Sequence, residues 1–239
     1  GQFSWSHIAR QFEQLCLDKT VGKLIVKKAY PKAIADFPFD SGVVQRGLCV
    51  DKANGNILKM DRYHHVWRAF HGLEKVPHER LVELYRSKII NFYSKQFAWL
   101  DTLFSLPEVS LLPHLVEGQK KGTVRLGRQN QKVFEDIREM IDEAHRDDSI
   151  KRDVKVDPAQ FLVRDPDLAH TLHRFRSGGK KLFILTNSLW DYTDAVMGFL
   201  LNGAMPEYPD WRHYFDIVVW GASKPTFFTG AMPFYEVET

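Results

Sequence analysis

The stretch Lys181-Leu182-Phe183-Ile184-Leu185-Thr186-Asn187 decides the fold class of this protein. It is a short apolar run with a polar end, it follows Gly178-Gly179, and helical patterns lie on both sides of it. Such a run is typical of a strand that is buried on both faces of a parallel sheet. A second run of this kind, Phe215-Asp216-Ile217-Val218-Val219-Trp220, follows the next helical pattern. Residues 178–224 therefore form a predicted β-α-β unit, and we expect an α/β fold.

The residues upstream of this unit predict an antiparallel hairpin among helices. Asn54-Gly55 separates the apolar runs 47–51 and 56–60, and this dipeptide is a strong hairpin signal because both residues tolerate positive φ. A third strand over residues 65–70 extends the hairpin. Helical spacing predicts one or two helices over 10–34 with Gly22 as a weak point, a helix from Pro77, short helices over 98–117 interrupted by Pro107 and Pro113, one helix over 129–147 and one over 158–177.

Composition excludes several classes of protein. The chain has 239 residues, a net charge of +3 and 44% hydrophobic residues, which argues against a disordered or collagenous chain. No dense Lys/Arg stripe occurs, so no nucleic-acid partner is expected. No stretch approaches the roughly 18 consecutive apolar residues of a membrane span, and residues 1–10 lack the apolar core of a secretory signal. Cys16 and Cys49 lie in apolar surroundings and are expected to be buried, reduced thiols of a cytoplasmic protein.

Two polar clusters follow the two predicted strands. Thr186-Asn187-Ser188 ends the first strand, and Lys224 follows the second. Ligands of open α/β sheets bind beyond the carboxyl ends of the strands, so these residues form a candidate phosphate site. The alternatives are that Asn187 or Ser188 only caps the next helix, and that Lys224 is a solvated loop lysine.

A third cluster lies on the long helix. Arg138, Asp142 and His145 are spaced i, i+4, i+7 and share one face, where they could bind a planar polar ligand such as a base and a ribose. The alternative is a surface ion pair between Arg138 and Asp142 that is worth about 0.5 kcal/mol. No Cys/His/Asp set has the spacing of a zinc site, and His64-His65 would point to opposite faces of a strand.

Eight motifs occur in a fixed order over nearly the whole chain. They are Arg46-Gly47-Leu48 with Asp51, residues 55–59, His71-Gly72, residues 134–138 with Asp142 and His145, residues 183–188, Tyr192-Thr193, residues 214–216 and residues 224–228. In order and approximate spacing, this set resembles the cytosolic purine 5′-nucleotidase family of the haloacid-dehalogenase (HAD) superfamily.

The resemblance implies a HAD-like Rossmann-type core, present in part, with a large inserted α+β cap. Residues 1–19 would form the N-terminal edge of the core, 20–165 the cap, and 166–239 the core with the second and third motifs, its C-terminal part being absent. The family hydrolyses purine nucleoside monophosphates of the IMP/GMP type through a phospho-aspartate with Mg²⁺. Its members are cytoplasmic and often assemble as homo-oligomers.

The resemblance also implies roles for individual residues. Thr186, Asn187 and Ser188 match the phosphate-binding second motif, and Lys224 matches the catalytic lysine of the third motif. The residues that match the purine- and ribose-reading positions are Arg138, Asp142, His145 and Lys151.

The chain departs from the family pattern at the residues that carry the reaction. It contains neither the Asp-x-Asp-x-Thr motif of the nucleophile nor the Gly-Asp-x-x-x-x-Asp motif that binds Mg²⁺. We therefore expect no Mg²⁺ ligands and no IMP or GMP hydrolysis from these 239 residues alone. Three hypotheses remain open: a chain that is one piece of a nucleotidase, a catalytically inactive nucleotidase-like binding or regulatory protein, and an unrelated α/β binding domain.

Overall fold

The computed structural model divides the chain into two compact units. One comprises residues 9–150, and the other comprises residues 1–8 together with 151–239. The assignment of a cap to 20–165 and of a core to 1–19 and 166–239 stays a prediction. Arg46 and Gly47, which open the first motif, lie outside the described residues. The structure describes residues 5–38, 48–86, 90–91, 94–100, 106–231 and 233–237.

The 9–150 unit contains a five-stranded antiparallel sheet, which confirms the predicted hairpin and its third strand. The turn spans residues 52–55 rather than Asn54 and Gly55 alone. Gly55 has a φ of 69°, whereas Asn54 does not take positive φ. The strand order is β4-β3-β2-β1-β5. The strands are β1 (Leu48–Asp51), β2 (Asn56–Met60), β3 (Val66–His71), β4 (Glu74–Lys75) and β5 (Phe97–Leu100).

Helices cover this sheet. Residues 5–28 form one continuous helix through Gly22, which is one of the two arrangements predicted for this region. The predicted break at Pro113 is wrong because that residue lies inside a helix. The apolar side chains around Pro113 are buried, and this burial outweighs the lost backbone hydrogen bond. The helices are α1 (Trp5–Lys28), α2 (His78–Tyr85), α3 (Leu106–Lys121) and α4 (Asn130–Arg146).

The prediction for α4 is confirmed to within one residue at each end, since Gln129 and Asp147 are its two caps. The buried residues of α4 recur with helical spacing, and they pack with α1, α3 and one face of the sheet into the largest apolar core. Strand β5 was predicted as part of a helical region. Its pairing with β1, in which Leu48 faces Leu100, overrides the local helical pattern.

Both cysteines are free and buried, as predicted. Burial raises the pKa of each thiol, Cys16 and Cys49, to about 12. Within the described part of the chain, no helix has the length and apolar character needed to cross a membrane.

The second unit contains the predicted β-α-β arrangement. Its two strands pair in parallel, with Phe183 opposite Ile217 and Leu185 opposite Val219. The molecule is thus an α/β protein with an antiparallel and a parallel sheet among its described residues. Its elements are α5 (Ser149–Val156), which belongs to this unit from Lys151 onward, α6 (Pro158–Phe161), α7 (Pro166–Ser177), β6 (Phe183–Leu185), α8 (Trp190–Leu201) and β7 (Ile217–Val219).

The prediction of one helix over residues 158–177 is wrong. Pro166 starts a separate helix, and the side chain of Asp165 caps it by accepting a hydrogen bond from the Asp167 N–H at 2.9 Å. Proline has no N–H to donate and its fixed φ suits the first turn of a helix, so it begins α7 rather than continuing α6.

The prediction that both parallel strands are buried on both faces is also wrong. Phe183 is 66% exposed and Ile217 is 62% exposed, because the described residues do not cover this face of the sheet. The opposite face is covered, and Ile184 and Val218 pack against a core around Trp211.

Candidate active site

The structure brings the two predicted strand-end clusters together. Asn187 accepts a hydrogen bond from the Lys224 N–H through its side-chain oxygen at 2.6 Å. The same side chain donates from its nitrogen to the Lys224 carbonyl at 3.1 Å. The two bonds join the segment after β6 to the segment after β7, as expected for the carboxyl ends of adjacent parallel strands.

The side chain of Lys224 folds back over the end of β6. Its Nζ donates to the Leu185 carbonyl at 2.7 Å, and no ion pair involves it within the described residues. Lys224 is an exposed loop residue, as the alternative of a solvated loop lysine requires, but its ammonium group is hydrogen-bonded to the protein. The hydrogen bond fixes the position of the ammonium group and leaves its charge uncompensated by a carboxylate.

Thr186 and Ser188 form a tight loop between β6 and α8. The Thr186 hydroxyl accepts from the Ser188 N–H at 3.1 Å, and the backbone carbonyls of both residues accept bonds from the segment after β7. Leu189 occupies the N-cap of α8 and no side chain caps this helix. The capping interpretation of Asn187 and Ser188 is therefore wrong.

The two acids nearest to these motifs in sequence are held by cations. Asp216 accepts from Lys181 at 3.0 Å, from Arg176 at 3.2 Å and from the Leu182 N–H at 2.9 Å. The Leu182 N–H and then Lys181 hold the pKa of Asp216 below its usual value. This carboxylate stabilises the start of β6 and is not directed at the strand ends.

Two lysines of α5 contact the first turn of α8. Lys155 forms an ion pair with Asp191 at 2.6 Å, and this bond lowers the pKa of Asp191. Lys151, one helical turn earlier, has its ammonium 5.7 Å from the ring centre of Tyr192. Both contacts lie within the second unit and escaped sequence interpretation, since nothing in the spacing indicated that α5 meets α8.

The Arg138 face of α4 contains an acid that sequence analysis missed. Arg138 donates from Nη1 to both carboxylate oxygens of Glu108 at 3.2 Å, and its Nε lies 3.5 Å from Asp142. The Glu108 side chain is 0% exposed. Burial acts to lower the pKa of Arg138, but the two carboxylates outweigh it and raise that pKa. The predicted surface ion pair describes the contact between Arg138 and Asp142 but does not include the buried contact between Arg138 and Glu108.

The predicted purine-reading residues are divided between the two units. Arg138, Asp142 and His145 lie on α4 of the first unit, with His145 half-buried, whereas Lys151 lies in the second unit with Thr186. Among these residues the structure shows a direct contact between Arg138 and Asp142.

Comparison with known proteins identifies the family. A model of the 5′ nucleotidase family matches residues 6–239. The chain belongs to the 5′ nucleotidase family. It is 26% identical over 237 residues to a 5′-nucleotidase domain-containing protein of Dictyostelium discoideum, which covers 97% of this chain and 40% of that protein. It is 29% identical to 5′-nucleotidase domain-containing protein 2 of Homo sapiens and of Rattus norvegicus, over 86% of this chain in both cases.

The chain spans about two fifths of the length of these 5′ nucleotidase relatives, with 40%, 40% and 38% of each covered. The match includes both strand-end motifs and the Arg138 face. The family resemblance drawn from the ordered motifs is therefore confirmed at the level of the 5′ nucleotidase family.

The Mg²⁺ that the resemblance implies does not fit the residues near Lys224. No group of three or more His, Cys, Asp or Glu side chains in the described residues could hold a metal ion. The hydroxyl, amide and ammonium groups of Thr186, Asn187 and Lys224 suit an anion, whereas Mg²⁺ prefers carboxylate oxygens. We therefore derive no step through a metal ion from the described residues.

Proposed function

We propose that this chain carries the phosphate- and nucleoside-binding side chains of a 5′-nucleotidase that hydrolyses purine nucleoside monophosphates of the IMP/GMP type. The observation that carries the proposal is the position of Lys224: Asn187 binds its backbone, and the Leu185 carbonyl holds its ammonium group at the polar end of β6. Residues 166–239 would belong to a HAD-like core and residues 20–165 to its cap.

The strand-end residues suit a phosphate monoester dianion. The Thr186 hydroxyl and the Lys224 ammonium can donate hydrogen bonds to phosphate oxygens, and charge-assisted bonds of this kind are about twice as strong as neutral ones. Lys224 is already oriented by the Leu185 carbonyl, so little side-chain entropy is lost when an anion binds. The role of these residues is to bind the phosphate and to offset its charge.

The face of α4 suits the purine and ribose. Arg138 and His145 can donate hydrogen bonds to ring nitrogens or a carbonyl oxygen, and the Asp142 carboxylate can accept from a ring N–H or a ribose hydroxyl. The two hydrogen bonds to the buried Glu108 carboxylate hold the Arg138 guanidinium in one orientation. Lys151 of the second unit would bind the nucleotide through its ammonium group.

The proposal is tested by nucleotide binding. IMP and inorganic phosphate are titrated calorimetrically into the chain and into Lys224→Met, with Lys180→Met, an exposed lysine of the same unit, as the control. We expect Lys224→Met to weaken both ligands by about tenfold to a hundredfold, the value of a charged hydrogen bond, and Lys180→Met to bind as the parent does. Equal affinities for the two variants, or no binding by the parent chain, would overturn the proposal.

Hydrolysis separates the proposal from its alternative. We expect no Mg²⁺-dependent release of phosphate from IMP by the 239 residues, because the nucleophile and metal motifs are absent from the sequence. Turnover that is lost in Lys224→Met would contradict this expectation. If a longer natural chain containing both motifs also binds IMP and hydrolyses nothing, the inactive binding-protein alternative is the better description.

A further inference from the structure

Two lysines that are one turn apart on α5 contact neighbouring residues at the start of α8. Lys155 reaches Asp191 at 2.6 Å, and Lys151 lies 5.7 Å from the ring centre of Tyr192. Residues i and i+4 share one face of a helix, so the two contacts act on the same side of α5. Together they set the position of this face of α5 against the first turn of α8.

The two contacts differ in whether the charge of the lysine remains available to bind an anion. The Asp191 carboxylate neutralises the charge of Lys155, and that ammonium is therefore part of a structural ion pair. An aromatic ring attracts a cation through its quadrupole without cancelling the charge. The charge of Lys151 also lowers the pKa of Asp191, but Lys151 forms no ion pair in the described part of the chain, so its ammonium group remains available to an anion.

The turn of α8 that contacts Lys151 follows in sequence the loop of Thr186 and Ser188, which is the proposed phosphate site. Tyr192 lies four residues after Ser188 and in the first turn of α8, whose N–H groups carry the positive end of the helix dipole. We propose that Tyr192 is a positioning residue that holds the Lys151 ammonium at the start of α8 for an anionic nucleotide substrate. The inference rests on the proposed function, in which Lys151 binds the nucleotide.

The physical basis is a restriction of side-chain freedom. A lysine side chain has many rotamers, and a ligand that binds an unrestrained ammonium must overcome part of the entropy of fixing them. The Tyr192 ring limits the rotamers of Lys151 before the substrate arrives. A second carboxylate in the place of Tyr192 would restrict the lysine as well but would consume its charge, as Asp191 does for Lys155.

A double-mutant cycle tests the coupling. IMP affinity is measured for the parent, Tyr192→Leu, Lys151→Met and the double variant. Tyr192→Leu is expected to weaken binding roughly threefold to tenfold in the parent and to have no further effect when Lys151 is Met. Tyr192→Phe keeps the ring and is expected to restore most of the affinity. An equal loss from Tyr192→Leu in both backgrounds would overturn the inference, because it would mean that Tyr192 acts on the fold alone.

A second measurement needs no bound nucleotide. The rate at which an amine-acylating reagent modifies Lys151 is followed by peptide mass spectrometry. Tyr192→Leu should speed this modification severalfold, and Tyr192→Phe should leave it close to the parent rate. The control is Tyr63→Leu, which removes the ring of an exposed cation–π pair in the first unit. An unchanged rate in Tyr192→Leu contradicts the inference. A parent chain that does not bind IMP contradicts the proposed function, and the modification rate still tests whether Tyr192 restrains Lys151.

Discussion

At the scale of single residues, a chain of buried hydrogen bonds fixes the hairpin of the first unit. Tyr85 donates its hydroxyl to Asp51 at 2.8 Å and accepts from the Asn56 side chain at 2.8 Å. Asp51 also accepts from Gln96 at 2.9 Å, so its two oxygens are well supplied with donors. Because all three members of the chain are buried, each must find its partner inside the protein.

The first prediction concerns this hydroxyl. Tyr85→Phe removes the acceptor of the buried Asn56 side-chain N–H and one of the donors to Asp51, and we expect the free energy of unfolding to fall by about 1–3 kcal/mol. Urea unfolding followed by tryptophan fluorescence measures the change. Tyr63→Phe, at an exposed position, serves as the control and should change stability by less than about 0.5 kcal/mol. Equal effects of the two variants would mean that the buried bonds contribute nothing.

A second buried acid gives the protein a pH-dependent stability. Asp136 is contacted by Lys132 at 2.8 Å, Arg128 at 2.7 Å, the Tyr30 hydroxyl at 3.2 Å and Lys28 at 3.8 Å. Burial acts to raise the pKa of Asp136, but Lys132, Tyr30 and Arg128 outweigh it and hold that pKa below its usual value. The stabilising contribution is therefore complete above the unfolded-state pKa of about 3.9 and is lost as the pH falls through the folded-state pKa.

The second prediction follows from this sign. Asp136→Asn removes the charge and should lower the free energy of unfolding by about 1–3 kcal/mol at pH 7. The difference between parent and variant should stay constant down to about pH 5 and shrink below about pH 4. Urea midpoints at pH 7, 5, 4 and 3 measure it. A difference that grows toward low pH would contradict the assignment of the shift.

At the scale of elements, two glycines of the first unit have opposite effects on the stability of the elements that contain them. Gly22 lies within the continuous helix α1, and an added Cβ would have no heavy atom within 4 Å. Gly55 closes the turn between β1 and β2 at a φ of 69°, and an added Cβ would lie 2.7 Å from the Asn130 side chain. The first glycine weakens its element, and the second is required by its element.

The third prediction contrasts these two positions. Gly22→Ala should raise the free energy of unfolding by about 0.5–1 kcal/mol, since alanine loses less backbone entropy than glycine in a helix. Gly55→Ala should lower it by at least about 1 kcal/mol because of the positive φ and the close contact. Thermal and urea unfolding of the two variants measure both signs. A destabilising Gly22→Ala would indicate that α1 is not helical at this residue in solution.

At the scale of the whole molecule, the parallel sheet presents an apolar patch. Phe183 and Ile217 face each other across β6 and β7 and are both largely exposed. Adjacent apolar side chains on a two-stranded sheet favour association with other apolar surfaces. We therefore expect the 239-residue chain to be prone to self-association through this sheet.

The fourth prediction tests that patch. Phe183→Thr combined with Ile217→Thr should lower the binding of the dye 1-anilinonaphthalene-8-sulfonate and the light scattered by concentrated samples. Val26→Thr changes a single exposed side chain of the first unit and should have a much smaller effect. A parent chain that is monomeric, does not bind the dye and unfolds in one sharp transition would contradict the expectation.

The family, the β-α-β unit, the hairpin and the bounds of α4 were predictable because each depends on local sequence. Continuous apolar runs, an Asn-Gly turn and a 3.6-residue spacing are properties of neighbouring residues. The same holds for the proximity of Asn187 to Lys224, since parallel strands end at one edge of a sheet. The ordered motifs carried the family assignment, which the match over residues 6–239 confirms.

Only the tertiary structure decided the contacts between segments that are distant in sequence. Strand β5 exists because β1 offers it a partner, and Pro113 stays within a helix because burial around it outweighs one missing bond. Sequence spacing could not reveal two contacts, that of Arg138 with Glu108 and that of Lys151 with Tyr192. Each contact joins two helices, and no local sequence pattern specifies how those helices pack. The sequence therefore determined the elements and the family, and packing determined which side chains orient the candidate site.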